Sequence, residues 1–388
     1  MPALLLYDRY FSGEKPWPVS DLAGWPAHCA EKAGTAARLP GTGVGLVRGG
    51  FRLRVHVLQF DDKYNGMNEL SKDAVTWLTV GENAAGQRID NFLLRVLKGV
   101  PKSHVYRIVR SGEVRVNKGR VSADTRLATG DVVRVPPVRL QAPATPAAAP
   151  RDVVPLPVLY EDDALIALNK PSGLAVHGGS GVAHGLIERL RAQRPAAPFL
   201  ELVHRLDRET SGVLLVAKKR SALTGLHAQL RAGEFDKRYL TLARGKWRDA
   251  KRAVRLPLRK LEAEGGERRV RVEREGAEAL TIFRRVDTWP AHDPPLALLE
   301  AELKTGRTHQ IRVHLAHLGF PIAGDDKYGD FAWNRLLAKE GLKRMFLHAA
   351  TLTFAHPLSG AKLSLHAALP SDLSAFVEGL GVSAGLHD

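Results

Sequence analysis

A proline-rich tract divides this chain into two parts and so limits the folds open to it. Prolines stand at positions 143, 146, 150, 155 and 157, and residues 141–150 carry no charge. A stretch of this kind has no helical or strand periodicity and is typical of a semi-rigid, extended linker. The sequence therefore predicts two separately folded modules, joined by a linker at residues 140–157.

The module before the linker is small and strongly basic. Residues 86–140 hold twelve Lys and Arg against four Asp and Glu, a net charge of +8, and the whole chain carries +16. Cations displace the counterions of phosphate groups when they bind them, so a surplus of this size favours a polyanionic partner. We expect this module at residues 80–139.

Periodicity predicts a helix pair followed by short strands in the basic module. Apolar residues at 89, 92, 93, 96 and 97 recur at helical spacing, and a second helix begins near Lys102 and ends at Ser111-Gly112. Strands are predicted at 113–117 and 132–135. The helix pair, the segment SGEVRVNKGR and the ending GDVVRV resemble the S4 RNA-binding domain. Six cations are then candidate RNA contacts, with a solvated basic face as the alternative: Lys102, Arg107, Arg110, Arg115, Lys118 and Arg120.

Residues 1–66 precede this module and match no pattern. They are rich in Gly and Pro, and Met67 stands just ahead of the first segment with structured character. We expect Met67 to be the true start of translation, with a start codon assigned too early. A disordered extension is the alternative.

The part beyond the linker, residues 158–380, is expected to fold as one α+β domain. Several of its strand-like runs follow one another without a helical crossover, which favours a mixed, largely antiparallel sheet. The runs are at 164–168, 213–217, 239–243, 280–284 and 296–303, with helical patterns at 185–193 and 221–234.

The composition gives no support to several classes of protein. Cys29 is the only cysteine, which excludes internal disulfides and thiolate metal clusters within one chain. The histidines at 309, 314 and 317 lack the i, i+4 pair with Glu of a helical zinc site, so no metal is expected. There is no run of eighteen apolar residues and no secretory leader, so the cytoplasm is the expected location.

One carboxylate stands among cations in LVHRLDRETSGVLLVAKK, residues 202–219. Asp207 lies between Arg205 and Arg208. A carboxylate held by arginine stays ionised at neutral pH, which suits a nucleophile or a base. From these residues alone, a structural ion pair is the alternative.

Four segments resemble, in order and spacing, the motifs of the RluA-type pseudouridine synthases. The similarity covers roughly residues 75–375 and is greatest to the C subgroup, whose members modify large-subunit ribosomal RNA. The four are LNKPSGLAVHGG (168–179), LVHRLDRETSGVLLVAKKRSAL (202–223), KRYL (237–240) and TGRTHQIRVHLAHLGFPIAGDDKYG (305–329).

This resemblance implies a reaction. Members of the family break the N1–C1′ bond of a uridine and rejoin the base through C5, without a cofactor or a metal. A base that is paired and stacked cannot present its glycosidic bond, so it must first be flipped out. Three routes for the carboxylate stay open: attack on C1′, addition to the base, or removal of a sugar proton.

The resemblance also implies roles for residues of this chain. Asp207 would be the catalytic carboxylate, Arg312 its basic partner, and Tyr239 the ring that stacks on the target base. Arg205 would fill the gap left by the flipped base, and Ile311 would form part of the apolar pocket wall. Four further side chains are expected as substrate, phosphate or structural contacts: His204, Arg208, Lys170 and Arg307.

Two alternatives remain open from the sequence. One is a non-catalytic RNA-binding or ribosome-assembly protein, in which the basic module acts alone. The other is a pseudouridine synthase with a different target, such as transfer RNA. RNA is the expected partner in every case, and a monomer is expected because an enzyme with its own RNA-docking module can act alone.

Overall fold

The computed structural model describes residues 56–59, 74–97, 99–138, 155–178, 185–262, 268–381 and 383. They fall within one compact unit that extends from Val55 to Asp388. The expectations for residues 1–66 and for the linker lie almost wholly outside the described residues. The exceptions are the strand His56–Gln59 and the prolines at 155 and 157.

The basic module consists of two helices packed on a five-stranded sheet. The sheet order is β1-β2-β5-β3-β4, in which β1 runs parallel to β2 and the other pairs are antiparallel. The elements are β1 (His56–Gln59), β2 (Thr76–Thr79), α1 (Ile89–Val96), α2 (Lys102–Arg110), β3 (Arg115–Val116), β4 (Gly119–Arg120) and β5 (Val132–Val135).

Both helices of this module form where the apolar spacing predicts them. On α1, Ile89, Phe92 and Leu93 are fully buried, and on α2 Val105 and Ile108 face the same core. Residues three or four apart share one helix face, so a single stripe of apolar side chains accounts for each helix. Lys102, Arg107 and Arg110 of α2 are left exposed, whereas Arg95 of α1 is half-buried.

The larger domain is built on a ten-stranded mixed sheet. The order is β11-β14-β15-β10-β16-β9-β7-β6, with β17 beside β16 and β8 beside β9. Its strands are β6 (Val158–Glu161), β7 (Leu165–Lys170), β8 (Glu201–Leu202), β9 (Ser211–Ala217), β10 (Asp236–Arg244), β11 (Lys251–Arg255), β14 (Leu280–Trp289), β15 (Leu296–Leu303), β16 (Leu347–Ala355) and β17 (Lys362–His366). A separate hairpin consists of β12 (Leu258–Glu262) and β13 (Arg268–Val272).

The pairing in this sheet is antiparallel except between β9 and β16. The expected α+β class with a mixed, largely antiparallel sheet is confirmed. Five helices accompany the sheet: α3 (Leu186–Gln193), α4 (Arg220–Ala232), α5 (Gln310–His317), α6 (Phe331–Lys339) and α7 (Ser371–Gly379).

Helices cover the sheet where the candidate site is formed. Leu223 and Leu226 of α4 pack on β9, whereas Ile187 of α3 packs with residues from the other face of the same strand. Ile311 and Leu315 of α5 pack on β14 and β15. The end of α4, the start of α5 and the central strand β10 therefore approach one another at one end of the sheet.

The basic module contacts this domain at the beginning of α4. The side-chain oxygen of Asn83 accepts a hydrogen bond from the backbone N–H of Arg220 at 3.3 Å. The first N–H groups of a helix have no partner within the helix, so Asn83 satisfies one of them. One helix thus extends from the basic module to the candidate site.

The parallel contact between β9 and β16 depends on a glycine. Gly212 has φ +112°, and a Cβ atom there would lie 2.2 Å from Ala349 O. We expect Gly212→Ala to lower the free energy of unfolding by about 3 kcal/mol or more, through backbone strain and overlap together.

Denaturant unfolding of purified Gly212→Ala measures this loss, with Gly233→Ala as the control. Gly233 has φ +76° and open space around it, so its variant meets only the backbone term of about 1–2 kcal/mol. Equal stabilities of the two variants would contradict the close approach of the strands.

Candidate active site

Asp207 lies in the loop that joins β8 to β9, residues 203–210, here called the Asp207 loop. The turn after β7 holds this loop in place. Ser172 Oγ donates to Glu209 O at 2.7 Å, and Gly173 N donates to Arg208 O at 2.9 Å. The first two motifs of the sequence are therefore neighbours in space, and one supports the other.

Lys170 supports the loop from the interior of the protein. Its side chain is fully buried, and Nζ donates to the carbonyl oxygens of Pro171 (2.9 Å), Leu174 (2.8 Å) and Arg208 (3.0 Å). Burial lowers the pKa of Lys170 to about 7. All three donor positions of its ammonium form are used, so Lys170 is a structural contact and does not reach a phosphate.

Arg312 joins Asp207 to a second, buried carboxylate. From α5, its Nη1 lies 3.4 Å from Asp207 Oδ2. Its Nε and Nη2 donate to the two oxygens of Asp325 at 2.8 and 2.7 Å. A bidentate pair of this kind fixes the plane of the guanidinium. Asp325 therefore orients Arg312 towards Asp207.

Asp325, which orients Arg312, is itself held in place by hydrogen bonds from the backbone. Its side chain is fully buried, and Oδ1 also accepts from the backbone N–H groups of Lys327 (2.8 Å) and Tyr328 (2.9 Å). Burial alone would raise the pKa of Asp325, but the charge and hydrogen bonds of Arg312, with these N–H groups, outweigh it and lower the pKa. Asp325 is thus ionised, and its hydrogen bonds fix its position relative to Arg312.

The charge of Arg312 is secured by the same carboxylates. Burial alone would lower the pKa of Arg312. The charges and hydrogen bonds of Asp325 and Asp207 outweigh burial and raise this pKa above its ordinary value. Its guanidinium also lies 5.1 Å from the centre of the Tyr328 ring. Arg312 therefore stays cationic beside Asp207 under all ordinary conditions.

His309 lies on the other side of Asp207. It immediately precedes α5 with a left-handed φ of 54°, and its Nε2 is 3.9 Å from Asp207 Oδ2. Its Nδ1 is 2.8 Å from Tyr328 Oη, which accepts the N–H of Val270 from the β12–β13 hairpin at 2.9 Å. Burial lowers the pKa of His309, so its ring is neutral at pH 7.

Tyr239 faces the same space from β10. Its ring is half-buried and lines the cavity in front of Asp207. Burial, together with the negative charge of Asp207, raises the pKa of Tyr239 above its ordinary value. Its phenol is therefore neutral, and its ring is available to a flat apolar group.

These side chains surround a cavity of about 590 Å³. Asp207 is the one carboxylate among its lining residues, whereas the cations around it are Arg205, Arg231, Lys237, Lys304, Arg307 and Arg312. A cavity with this charge balance attracts an anionic ligand and presents a single carboxylate to it.

The other residues predicted for the catalytic domain also line the cavity, except for Lys170 and Arg208. Arg205 is exposed to it, and Ile311 is buried in its wall. His204 Nε2 accepts the N–H of Leu215 at 3.1 Å, and burial, with a smaller effect of Lys237, lowers its pKa to about 4. His204 is therefore a neutral ring that fixes the loop.

Arg208 and Arg307 are exposed side chains with backbone partners. Arg208 Nε donates to Gly173 O at 3.2 Å, and Arg307 Nε donates to Glu278 O at 3.0 Å. In the described structure, neither Arg205 nor Arg208 pairs with Asp207. The cation that does so is Arg312, which comes 105 residues later in the chain.

The six cations expected on the basic module lie on α2 and on the β3–β4 hairpin. Five of the six are exposed and Arg115 is half-buried. Arg115 is paired across the sheet with Arg120 on β4 and with Arg134 on β5. This row of three arginines adds Arg134, which the sequence analysis did not include.

Comparison with known proteins decides the family. A family model described as RNA pseudouridylate synthase matches residues 164–317, and a model of the S4 domain matches residues 87–133. Ribosomal large subunit pseudouridine synthase C of Haemophilus influenzae is 50% identical over 316 residues, which cover 80% of this chain and 97% of that protein. The chain belongs to the family of RNA pseudouridylate synthases.

Other relatives are equally similar. Ribosomal large subunit pseudouridine synthase C of Yersinia pestis is 54% identical over 77% of this chain and 93% of that protein. The enzyme of the same name from Escherichia coli is 51% identical over 77% and 95%. The chain is thus a pseudouridine synthase, an isomerase, with an S4 RNA-binding domain ahead of its catalytic domain.

The structure of this pseudouridine synthase adds Asp325, Tyr328 and His309 to the residues predicted from sequence. They stand in motifs already quoted, but acidic residues at 325 and 326 look alike in GDDKYG. Only the fold distinguishes them, because Asp325 is buried and Asp326 is 77% exposed. In the part of the chain that the structure describes, every helix is too short or too polar to cross a membrane.

Proposed function

We propose that this pseudouridine synthase modifies uridines of large-subunit ribosomal RNA. The observation that carries the proposal is the match to proteins named ribosomal large subunit pseudouridine synthase C, at about half identity over nearly their whole length. A match of that extent includes the S4 domain, through which the enzyme would dock on its RNA, as well as the catalytic domain.

The proposed mechanism begins with a flipped uridine. Its base leaves the stack and enters the cavity, where Tyr239 would lie against its face and Ile311 against its edge. Arg205 is exposed at the cavity and free of protein partners in the described structure, so it can enter the space that the base leaves. A planar cation can both stack and donate hydrogen bonds there.

Asp207 would then act on the flipped nucleotide as the catalytic carboxylate. The N1–C1′ bond breaks, the base turns within the cavity, and a C5–C1′ bond forms. C5 loses its proton and N1 gains one, so atoms and electrons balance without an oxidant or reductant. Arg312 would hold Asp207 in place and stabilise its charge, since it remains cationic and fixed by Asp325.

Tritium release from RNA labelled at C5 of uridine tests the proposal. Purified enzyme is given separate transcripts of large-subunit ribosomal RNA, small-subunit ribosomal RNA and transfer RNA. We expect release from the first only. Release from transfer RNA alone would overturn the proposed target but retain the reaction. Failure with all three, when total RNA from the native cell also gives none, would favour a binding protein without catalysis.

The S4 domain gives a separate prediction. We expect the double variant Arg115→Ala with Arg120→Ala to bind RNA more weakly and with a smaller salt dependence. Each lost phosphate contact reduces the slope of log K against log salt concentration by about 0.7–0.9. Filter binding at several salt concentrations measures the slope. Arg126→Ala, an exposed cation of the same domain outside this row, is the control. An unchanged slope in the double variant would contradict the role of the row.

We also propose that the enzyme acts as a monomer in the cytoplasm. Support for a monomer comes from the S4 domain, which gives one chain its own means of docking on RNA. Support for the location comes from the proposed substrate, since ribosomal RNA is modified where ribosomes are assembled. Light scattering of the purified enzyme checks the first of these.

A further inference from the structure

Three cations line the active-site cavity without a protein partner. In the part of the chain that the structure describes, the side chains of Arg205, Arg231 and Lys237 form no hydrogen bond or ion pair. The other cations of the cavity are engaged: Lys304 pairs with Glu302, Arg307 donates to Glu278 O, and Arg312 pairs with Asp325. Arg205 has a proposed place in the base stack, which leaves two cations unexplained.

Lys237 lies in the wall of the cavity and not on the open surface. It is half-buried on β10, two residues before Tyr239, and both side chains line the cavity. Burial lowers the pKa of Lys237, and no carboxylate acts against that effect. Moving a cation out of water costs free energy when no acceptor or anion pairs with it. Lys237 is therefore suited to bind an anion that the protein itself does not supply.

Arg231 reaches the cavity from the other side of the same turn. It lies in the last turn of α4, which ends at Gly233 in a left-handed conformation, and β10 begins at Asp236. Gly306 also lines the cavity, and a Cβ atom at that position would be 3.8 Å from Lys237 Nζ. The absence of a side chain there leaves room beside the ammonium group.

The distance along β10 between Lys237 and Tyr239 matches the length of one nucleotide. Two residues of a strand span about 7 Å. A base that lies against Tyr239 therefore has its sugar and the adjoining phosphate within reach of Lys237. Lys237 is also not a partner of the catalytic carboxylate, since Asp207 does not contribute to its pKa.

We propose that Lys237 and Arg231 form a phosphodiester subsite, which binds the phosphate next to the target uridine while the base occupies the space between Tyr239 and Asp207. The inference rests on the proposed function, because it assumes an RNA substrate. The subsite would fix the flipped nucleotide at its backbone. An ammonium and a guanidinium together neutralise the phosphate and donate hydrogen bonds to its oxygens.

A neutral phosphate analogue tests the subsite directly. The substrate is a short RNA that the wild-type enzyme modifies. The phosphates on the two sides of its target uridine are replaced, one at a time, by uncharged methylphosphonates. We expect one replacement to raise the KM of the wild-type enzyme tenfold or more, since each charged hydrogen bond lost costs about that factor. The same replacement should have a smaller effect on Lys237→Met, in which only Arg231 still contacts this phosphate.

Three variants accompany the analogue. Lys237→Met and Arg231→Met should each raise KM about tenfold on the normal RNA and reduce the salt slope by about 0.7. Lys237→Arg keeps the charge and should retain the wild-type slope. Lys362→Met, an exposed lysine on β17 away from the cavity, is the matched control and should behave as wild type. Thermal unfolding of each variant shows whether it is folded.

Equal sensitivity of wild type and Lys237→Met to both methylphosphonates would overturn the inference. So would a folded Lys237→Met enzyme with the KM and salt slope of the control. If wild-type enzyme fails to modify any large-subunit ribosomal transcript, the proposed function fails instead. That result is distinguishable, because it appears before any variant is compared.

Discussion

Asp207→Asn is expected to abolish pseudouridine formation while the protein stays folded and still binds RNA. The amide has no negative charge, so it is neither a nucleophile nor a base. It also gives Arg312 no anion. Loss of a residue at the centre of a reaction lowers the rate by about 10⁴-fold or more. Tritium release from C5-labelled RNA measures the loss.

Folding should survive because little of the fold depends on this carboxylate. Its side chain is 23% exposed, and its closest ionic contact, to Arg312, is 3.4 Å long. Arg312 keeps its bidentate pair with Asp325 in the variant. RNA affinity should be unchanged or slightly higher, since a negative charge leaves a cationic cavity.

Glu209→Gln is the matched control for this variant. Glu209 lies in the same loop, its side chain is 32% exposed, and its ionic partner is Arg208 at 3.3 Å. The same change from acid to amide there should leave the rate near that of the wild type. Measurable turnover by a pure Asp207→Asn preparation, or an equal loss in Glu209→Gln, would contradict the role assigned to Asp207.

Asp325→Ala is expected to impair both stability and activity. The substitution leaves the buried guanidinium of Arg312 without its main partner, and an unpaired buried charge costs about 3–5 kcal/mol of folding free energy. Arg312 would also lose its orientation towards Asp207. Misplacement of a catalytic group by about 1 Å reduces the rate about 100-fold. Denaturant unfolding and the tritium assay measure the two effects.

Two further variants keep this prediction testable. Asp325→Asn preserves the shape and the acceptor for the N–H groups of Lys327 and Tyr328, so it should fold even if the alanine variant does not. It should still lose most activity, since it removes the charge that secures Arg312. Asp326→Ala is the control, because Asp326 contacts the same Nη2 atom at 3.4 Å but is 77% exposed. An exposed pair of that kind contributes less than about 1 kcal/mol.

Asp325→Asn and Asp326→Ala should therefore differ strongly in activity. If both lose activity equally, the bidentate pair is not what positions Arg312. If neither loses activity, Arg312 does not need an anchor.

The elements that the sequence predicts are those with continuous apolar runs. LALLEAEL was predicted as a strand at 296–303, and β15 has the same bounds. Helices at 185–193 and 221–234 also agree with α3 and α4 within two residues. In each case the side chains that pack on the sheet carry the pattern themselves, so local sequence is sufficient.

The strands that were not predicted depend on distant partners. β12 and β13 read LRKLE and RRVRV, which look like a solvated, charged segment. They are strands because they pair with each other and because Tyr328 Oη accepts the N–H of Val270. β14 was predicted to end at 284 but continues to Trp289, since Asp287, Thr288 and Trp289 pair with residues 298, 297 and 296 of β15. Such cross-strand pairing has no local signature.

The candidate site was only partly predicted from the sequence, because it too depends on contacts between distant segments of the chain. Resemblance to a family predicted Asp207, Tyr239 and Arg312 as site residues, and the structure brings all three to one cavity. The resemblance left two roles open for Lys170, and the packing of its side chain distinguishes between them. Lys170 was expected as a phosphate or structural contact, and its burial makes it a structural one. The sequence analysis did not select Asp325, and only the fold shows that it pairs with Arg312.

Mapping of pseudouridines in ribosomal RNA from a strain that lacks this gene tests the central claim most directly. The strain is complemented with the wild-type gene or with Asp207→Asn. We predict that particular sites in large-subunit ribosomal RNA are lost in the deletion, return with wild type and stay absent with Asp207→Asn. Persistence of every large-subunit site in the deletion strain would contradict the account of its target. Return of the sites with Asp207→Asn would contradict the account of its chemistry.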